Sequence, residues 1–165
     1  PIKAAYCLRW KDIPGDVGGE IHGIRQITSH ESEAGKSMTV TEQIIASAAE
    51  LIGGETSGRA YPERLSLKLS GHEILEDFFD NGQLFRENVT VMTAASEDAG
   101  AAYRTLCGSL EKLENSLPLI SCEGGKVCSV RCEAPADGGY TADGERILKA
   151  DVIIIGMICG GERNG

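Results

Sequence analysis

Residues 147–155, ILKADVIII, form the most apolar stretch of this 165-residue chain. A run of that length, bounded by turn-forming residues, predicts a β-strand. It ends in four successive apolar residues, a pattern typical of strands that are covered on both faces. We therefore expect residues 147–155 to lie at the centre of a sheet, with the other strands and the helices arranged around them.

Two further stretches alternate apolar and polar residues, which predicts half-buried strands. In residues 65–69 a leucine occupies every second position, and residues 85–93 follow the same period. Residues 70–84, between the two strands, contain Asp-Asn-Gly at positions 80–82 and are expected to form a long connection that turns there.

A hairpin is predicted in the last third of the chain. Its strands are residues 119–122 and 127–132, and a glycine-rich turn joins them. Alternation along the second strand places Cys128 and Cys132 on one face, where they would pack in the core. Residues 133–144, rich in Gly, Ala and Asp, are expected to form a loop.

Two helices complete the pattern. Thr39 and Glu42 have the spacing of a capping box, and the first helix should end at Gly53. The second is predicted over about 96–117, with Ser96 as its N-cap and Pro118 ending it. The apolar faces comprise Ile44, Ile45, Ala48, Ala49 and Ile52 in the first helix, and Tyr103, Leu106, Leu110, Leu113 and Leu117 in the second.

This order of elements predicts an α+β fold. We expect two layers: a mostly antiparallel, four-to-five-stranded sheet with the helices packed on one face. The domain should span residues 38–158. Residues 1–37 are expected to be an N-terminal arm or small hairpin plus a linker, and residues 159–165 a flexible tail.

The net charge of −9 argues against a general nucleic-acid binder, which would need a basic surface. Negative charge also aids solubility in many proteins. Pro1–Trp10 lacks the apolar segment of a signal peptide, and no apolar run reaches the ~20 residues that span a membrane. We therefore expect no membrane association.

The sequence contains partial matches to motifs for catalysis or cofactor binding, but their spacing does not fit. Gly35-Lys36-Ser37 ends like a phosphate-binding loop, but His30 stands where that loop requires glycine. His72-Glu73 does not continue as the HExxH of zinc proteases. We therefore expect no enzyme activity, no catalytic residues and no cofactor.

The six cysteines also lack a metal-binding pattern. Structural zinc sites usually contain closely spaced cysteine pairs, and Cys122, Cys128 and Cys132 are separated by wider intervals. We expect no metal site and mostly free, half-buried thiols. The alternative of a disulfide-rich secreted scaffold is disfavoured by the length of the chain.

Acidic residues cluster in two of the predicted loops. Acid–base catalysis would require a buried carboxylate, whereas loop carboxylates are solvated, so we assign both clusters to a surface. The candidate residues for a lumen or a partner interface are Glu73, Glu76, Asp77 and Asp80 first, and Asp137 and Asp143 second.

Residues 38–158 resemble the small minor-capsid or tail-terminator (tail-completion) proteins of long-tailed bacteriophages. The resemblance lies in the order and spacing of three stretches, and residues 1–37 and the cysteine-containing hairpin fall outside it. The stretches are MTVTEQII (38–45), GHEILEDFFDNG (71–82) leading into RENVTVM (86–92), and the leucine-rich helix 98–117 followed by a hairpin and a strand after GERI (144–147).

The resemblance implies a structural virion protein, assembled in the bacterial host cytoplasm and located in the tail or neck. Such proteins form homo-oligomeric rings, here expected to be hexameric, that cap the tail tube and join it to the head connector or stopper protein. DNA would pass through the ring without specific binding. The alternatives are another virion role (head-completion stopper, tail-tube subunit or capsid-surface protein), or a small metal- or ligand-binding domain that uses the cysteine hairpin with His72.

Overall fold

The computed structural model describes residues 38–95 and 97–160. The predictions for residues 1–37, for Ser96 and for most of the predicted tail lie outside these residues. The described part is an α+β fold with two α-helices and a mostly antiparallel sheet. The sheet has seven strands, so the prediction of four to five was too low.

The additional strands are β1, which has two residues, and β6, which lies in the segment that was predicted to be a loop. The sheet order is β1-β2-β3-β7-β5-β4, and β6 also pairs with β7. The elements are α1 (Val40–Ile52), β1 (Glu55–Thr56), β2 (Ser66–Asp77), β3 (Gln83–Ala95), α2 (Ala99–Ser116), a 3-10 turn (Leu117–Leu119), β4 (Ser121–Cys122), β5 (Gly125–Cys132), β6 (Ala136–Tyr140) and β7 (Arg146–Ile158).

The central position predicted for β7 is confirmed. It pairs with β3 along 13 residues without a register shift, from Gln83 opposite Ile158 to Ala95 opposite Arg146. Its other edge pairs with β5 and β6. Successive residues along a strand point to opposite faces of the sheet. The odd-numbered residues of β3 and the even-numbered residues of β7 therefore face the core together.

The long connection predicted for residues 70–84 is wrong, because β2 and β3 form one hairpin. β2 runs to Asp77, and a turn closed by the Phe78 amide donating to the Gly82 carbonyl (2.8 Å) leads into β3. The register shifts between Leu69 and Gly71 and again further along β2. Each bulge interrupts the period-two pattern, which is why alternation failed to predict this half of the strand.

The loop predicted for residues 133–144 is also wrong, because it contains β6. Glycine is uncommon in strands, and β6 has two. A Cβ at Gly138 would lie 2.7 Å from Cγ2 of Ile147, so only glycine lets β6 approach β7 here. Close backbone packing thus produces a strand whose composition is typical of a loop.

Both helices are confirmed in outline. The capping box of Thr39 and Glu42 is present, and α1 ends at Gly53 in the left-handed conformation. α2 begins at Ala99, and its N-cap is Asp98, which accepts a hydrogen bond from the Ala101 amide at 2.9 Å. The predicted apolar faces are buried except at Tyr103, which is 45% exposed.

The two helices and the sheet share one hydrophobic core. Its members come from α1, α2, the 3-10 turn and strands β2, β3, β4, β5 and β7, and Ile44, Phe85, Leu106 and Leu117 are fully buried. No helix in the described residues is both long and apolar enough to cross a membrane.

Gly156 in β7 provides a test of the central packing. A Cβ at this position would overlap the ring of Phe85, which is fully buried. We expect Gly156→Ala to lower the free energy of unfolding by about 1–3 kcal/mol through overpacking. Adding Phe85→Leu should recover part of this loss, as measured by urea denaturation. Fully additive losses would contradict this packing.

Candidate functional site

The most unusual buried group in the described residues is the carboxylate of Glu87. It lies in the middle of β3, in phase with the core residues Phe85 and Val89, and is 0% exposed. A buried carboxylate is costly unless donors compensate for its lost hydration. Glu87 is therefore the first candidate for a functional side chain.

Two side chains from other elements hold Glu87. Thr41 of α1 donates from Oγ1 to Oε1 at 2.5 Å, and Nδ1 of His72 in β2 lies 2.7 Å from the same oxygen. An ionised carboxylate can only accept hydrogen bonds. When Glu87 is ionised, Nδ1 of His72 must therefore be the donor. The other oxygen, Oε2, is buried and has no hydrogen-bond partner among the described residues.

The arrangement suits structural support better than catalysis. A carboxylate that orients a histidine occurs in acid–base catalysis, where the second ring nitrogen activates a nucleophile. Here the hydroxyl of Thr41 donates to the carboxylate of Glu87 and not to a ring nitrogen of the histidine. The three side chains instead connect α1, β2 and β3 at one point in the core.

Sequence reasoning missed this cluster, although a signal was present. Phe85, Val89 and Val91 define the core phase of β3, and Glu87 occupies the same phase. A charged residue at a core position of an otherwise apolar period indicates a buried polar interaction.

Within the described residues, the core side of β2 is incompletely covered from Leu69 to the turn of the β2–β3 hairpin. Leu69 and Ile74 are on the core side of the hairpin, yet their side chains are 42% and 47% exposed. Phe79, in the turn, is fully exposed. β1 pairs only with Ser66 and Leu67, so the outer edge of β2 has no strand partner from residue 68 onward within the described residues. We call residues 68–82 the uncovered hairpin.

The first acidic cluster lies on this hairpin. Glu73 forms an ion pair with Arg86 at 3.2 Å, and both side chains are about half exposed. Asp77 accepts a hydrogen bond from the side chain of Gln83, and Asp80 accepts one from the Gly82 amide in the turn. Glu76 lies at the end of the same strand. The four carboxylates thus share one region of the surface.

The second acidic cluster lies at the other end of the sheet. Asp137 of β6 bonds to Arg146 at 2.9 Å, and Asp143 lies in the turn between β6 and β7. The Gly139 amide and Arg146 lower the pKa of Asp137, so this contact stabilises the turn above the ordinary carboxyl pKa and is lost as the pH falls through the lowered value. Twelve residues of β3, about 40 Å of extended strand, separate the two ends. The structure does not bring the two clusters together.

The cysteines of the β4–β5 hairpin do not share a face as predicted. A register shift between Val127 and Ser129 makes Cys128 a bulge residue, and it is exposed. Cys122 is buried, and Cys132 is half-buried with its thiol 3.5 Å from the carbonyl of Leu110. The bulge reversed the phase that alternation predicted.

Burial also reduces the reactivity of these thiols. It raises the pKa of Cys122, and burial together with nearby Glu114 raises the pKa of Cys132 to about 12. A thiol must lose its proton to act as a nucleophile or a metal ligand. Cys107, Cys122, Cys128 and Cys132 are free, as expected, and Cys7 lies outside the described residues.

The rest of the described residues offers neither a metal-binding group nor a cavity with clear ligand chemistry. Within residues 38–95 and 97–160, no three His, Cys, Asp or Glu side chains are grouped so that they could hold a metal ion. A cavity between the end of β3 and the start of α2 is lined by Glu63, Glu97 and Asp98. Asp98 already caps α2, and its carboxylate lies 3.9 Å from Arg104, so this cavity gives no clear ligand chemistry.

Comparisons with known proteins add no family. No protein-family model matches the chain, and a search of curated proteins finds no significant relative.

The Glu87 cluster predicts a coupled effect on stability. Thr41→Val removes one of the two donors to a buried carboxylate and should lower the free energy of unfolding by about 1–3 kcal/mol. Glu87→Met in the same chain replaces the group that needed the donor, so the double variant should be no less stable than Thr41→Val. Urea denaturation and a double-mutant cycle measure this coupling. Thr90→Val, on the solvent side of β3, is the matched control, and additive losses would contradict the coupling.

The cysteines predict an order of alkylation. Cys128 should react first with iodoacetamide at pH 8, because it is exposed, whereas Cys122 and Cys132 should react only after unfolding. Peptide mass spectrometry of native and urea-unfolded protein measures the three rates. Equal labelling of Cys132 and Cys128 in the native protein would contradict this order.

Proposed function

We propose that this chain is a structural, non-enzymatic subunit of a ring at the head–tail junction of a long-tailed phage. In this role it caps the tail tube and joins it to the head connector or stopper protein. The resemblance of residues 38–158 to tail-terminator proteins supports the proposal. The order of the helices and strands in the described residues is compatible with it.

The observation that carries the proposal is the uncovered hairpin. Its core-side residues Leu69, His72 and Ile74 are each more than 40% exposed, although Leu67 on the same strand is buried. Exposed large apolar side chains on the core side of a strand favour binding of a protein partner. A second copy of the chain is the partner that a ring requires.

The chemistry of the described residues supports a structural role. Glu87 and His72 are used to hold α1 against the hairpin, and the thiols of Cys122 and Cys132 are protonated at neutral pH because their pKa is raised. The net charge of −9 disfavours binding to a phosphate backbone. DNA could therefore pass through such a ring without being retained.

Light scattering and electron microscopy of the purified full chain test the proposal. We expect rings with a mass about six times that of one chain, as in closed head-to-tail assemblies. A protein that stays monomeric across micromolar to millimolar concentrations would contradict the proposal.

A pair of matched variants tests the role of the hairpin. Ile74→Lys places a charge on the uncovered hairpin and should raise the concentration needed for ring formation by about 30-fold or more, the effect of a central interface residue. Leu119→Lys is the control, because Leu119 is 83% exposed and lies outside the hairpin. Both variants should keep the melting temperature of the parent protein within about 2 °C, because both positions are already exposed.

A further inference from the structure

The side of the sheet opposite the core has an unusual composition. An exposed sheet face normally carries polar residues, because alternation directs the apolar ones inward. Here four large apolar side chains lie together on that side, and each is only half-buried. We call them the outer stripe: Leu84, Ile153, Ile155 and Met157.

The strand register makes the outer stripe continuous. Leu84 lies opposite Met157, and Arg86, the next residue on that face of β3, lies opposite Ile155. On the other edge of β7, Arg131 of β5 lies opposite Ile153. Two arginines therefore border a central apolar stripe, an arrangement typical of protein interfaces.

The charge of this side differs from that of the whole chain. On the outward positions of β2, β3, β5 and β7, basic side chains outnumber acidic ones by five to three, although the chain carries −9. The basic residues are Lys68, Arg86, Lys126, Arg131 and Lys149, and the acidic residues are Glu73, Glu76 and Asp151.

The end of the uncovered hairpin has the complementary composition. Residues 73–82 contain four carboxylates and no lysine or arginine, and they present the fully exposed ring of Phe79. An aromatic side chain among carboxylates is complementary to an apolar stripe bordered by arginines, both in apolar character and in charge. The matching surface is thus present on another copy of the same chain.

We propose that the outer stripe of one copy binds the hairpin end of the next copy, in a head-to-tail contact. This inference rests on the proposed ring and assigns the receiving surface within it. The two surfaces adjoin at Glu73 and Glu76 but have different centres, the apolar stripe and Phe79, so the contact is heterologous and is repeated around a closed ring. The two bulges in β2 disfavour continuous strand addition, so the contact is made by side chains.

The Glu73–Arg86 ion pair does not prevent this contact. Both side chains are about half exposed, and solvent-exposed ion pairs of this kind contribute little to stability. A guanidinium has five N–H donors, and in Arg86 the Nη1 atom is the one that bonds to Glu73. Arg86 can therefore also donate a hydrogen bond to a carboxylate of a neighbouring copy.

Mixing two full-length variants tests the contact. Phe79→Asp disables the hairpin end, and Ile155→Lys disables the outer stripe. Each variant alone should fail to form rings, with the required concentration raised by about 30-fold or more. An equimolar mixture should form a one-to-one heterodimer and stop there, because only one intact pair of surfaces remains. Light scattering and native mass spectrometry measure the species.

Matched controls separate this effect from general damage. Tyr140→Asp removes an aromatic residue that is 70% exposed at the other end of the sheet, and Ile147→Lys changes the same face of β7 at its far end. Both controls should still form rings. Arg131→Glu, at an exposed position, replaces Ile155→Lys if that variant does not fold.

The outcomes distinguish this inference from the proposed function. If the parent protein forms rings and Ile155→Lys and Arg131→Glu form them equally well, the outer stripe is not the receiving surface, and the ring proposal stands. If the parent protein never self-associates, both proposals are wrong. If Ile155→Lys lowers the melting temperature but not ring formation, the stripe is covered within one chain, and this inference is overturned.

Discussion

The pairing of β3 with β7 is the constraint on which the rest of the structure depends. The two strands stay in register for 13 residues without a bulge. The side chains that face the core at one end of the pair are therefore followed by core-facing side chains at every second position along its whole length. One face carries Phe85, Val91, Val152 and Ile154 into the core. The helices cover this face, β2 extends the sheet on one edge, and β5 and β6 extend it on the other. A slip of one residue would exchange the two faces and expose the whole core.

Glu87 shows how this ladder accommodates a polar group. Its position in β3 directs the carboxylate inward, and the neighbouring register positions bring His72 beside it while α1 supplies Thr41. Buried polar contacts of this kind are directional, so they favour one placement of the helix over alternatives. The hydrogen bonds therefore position α1 over β3, and neither of the two described helices covers the hairpin beyond this point.

The lengths of the elements explain why large apolar side chains are exposed on the molecule. β2 and β3 extend past α1, which has 13 residues and spans about 20 Å. A helix of this length cannot cover a hairpin whose strands are about 40 Å long. On the opposite side, the unbroken apolar run at the end of β7 places Ile153 and Ile155 outward because Val152 and Ile154 occupy the core. Both proposed contact surfaces thus follow from the lengths and register of β2, β3 and β7.

The sequence by itself determined the elements whose signals are local. The capping box at Thr39, the apolar faces of both helices and the central position of β7 depend on neighbouring residues, so they could be predicted from spacing alone. The α+β class follows from the order of those elements. The sequence also showed the acidic residues of the hairpin and of the β6–β7 turn. It did not show that these two groups lie at opposite ends of the sheet.

Only the tertiary structure decided the features that arise where backbone geometry departs from a regular period. Bulges in β2 and β5 shifted the phase of Ile74 and Cys128, and the close approach of Gly138 to Ile147 made a strand of a loop-like segment. The partners of Glu87 come from distant parts of the chain, so no local pattern specifies them. Periodicity reports which residues share a face, whereas long-range contacts determine what that face meets.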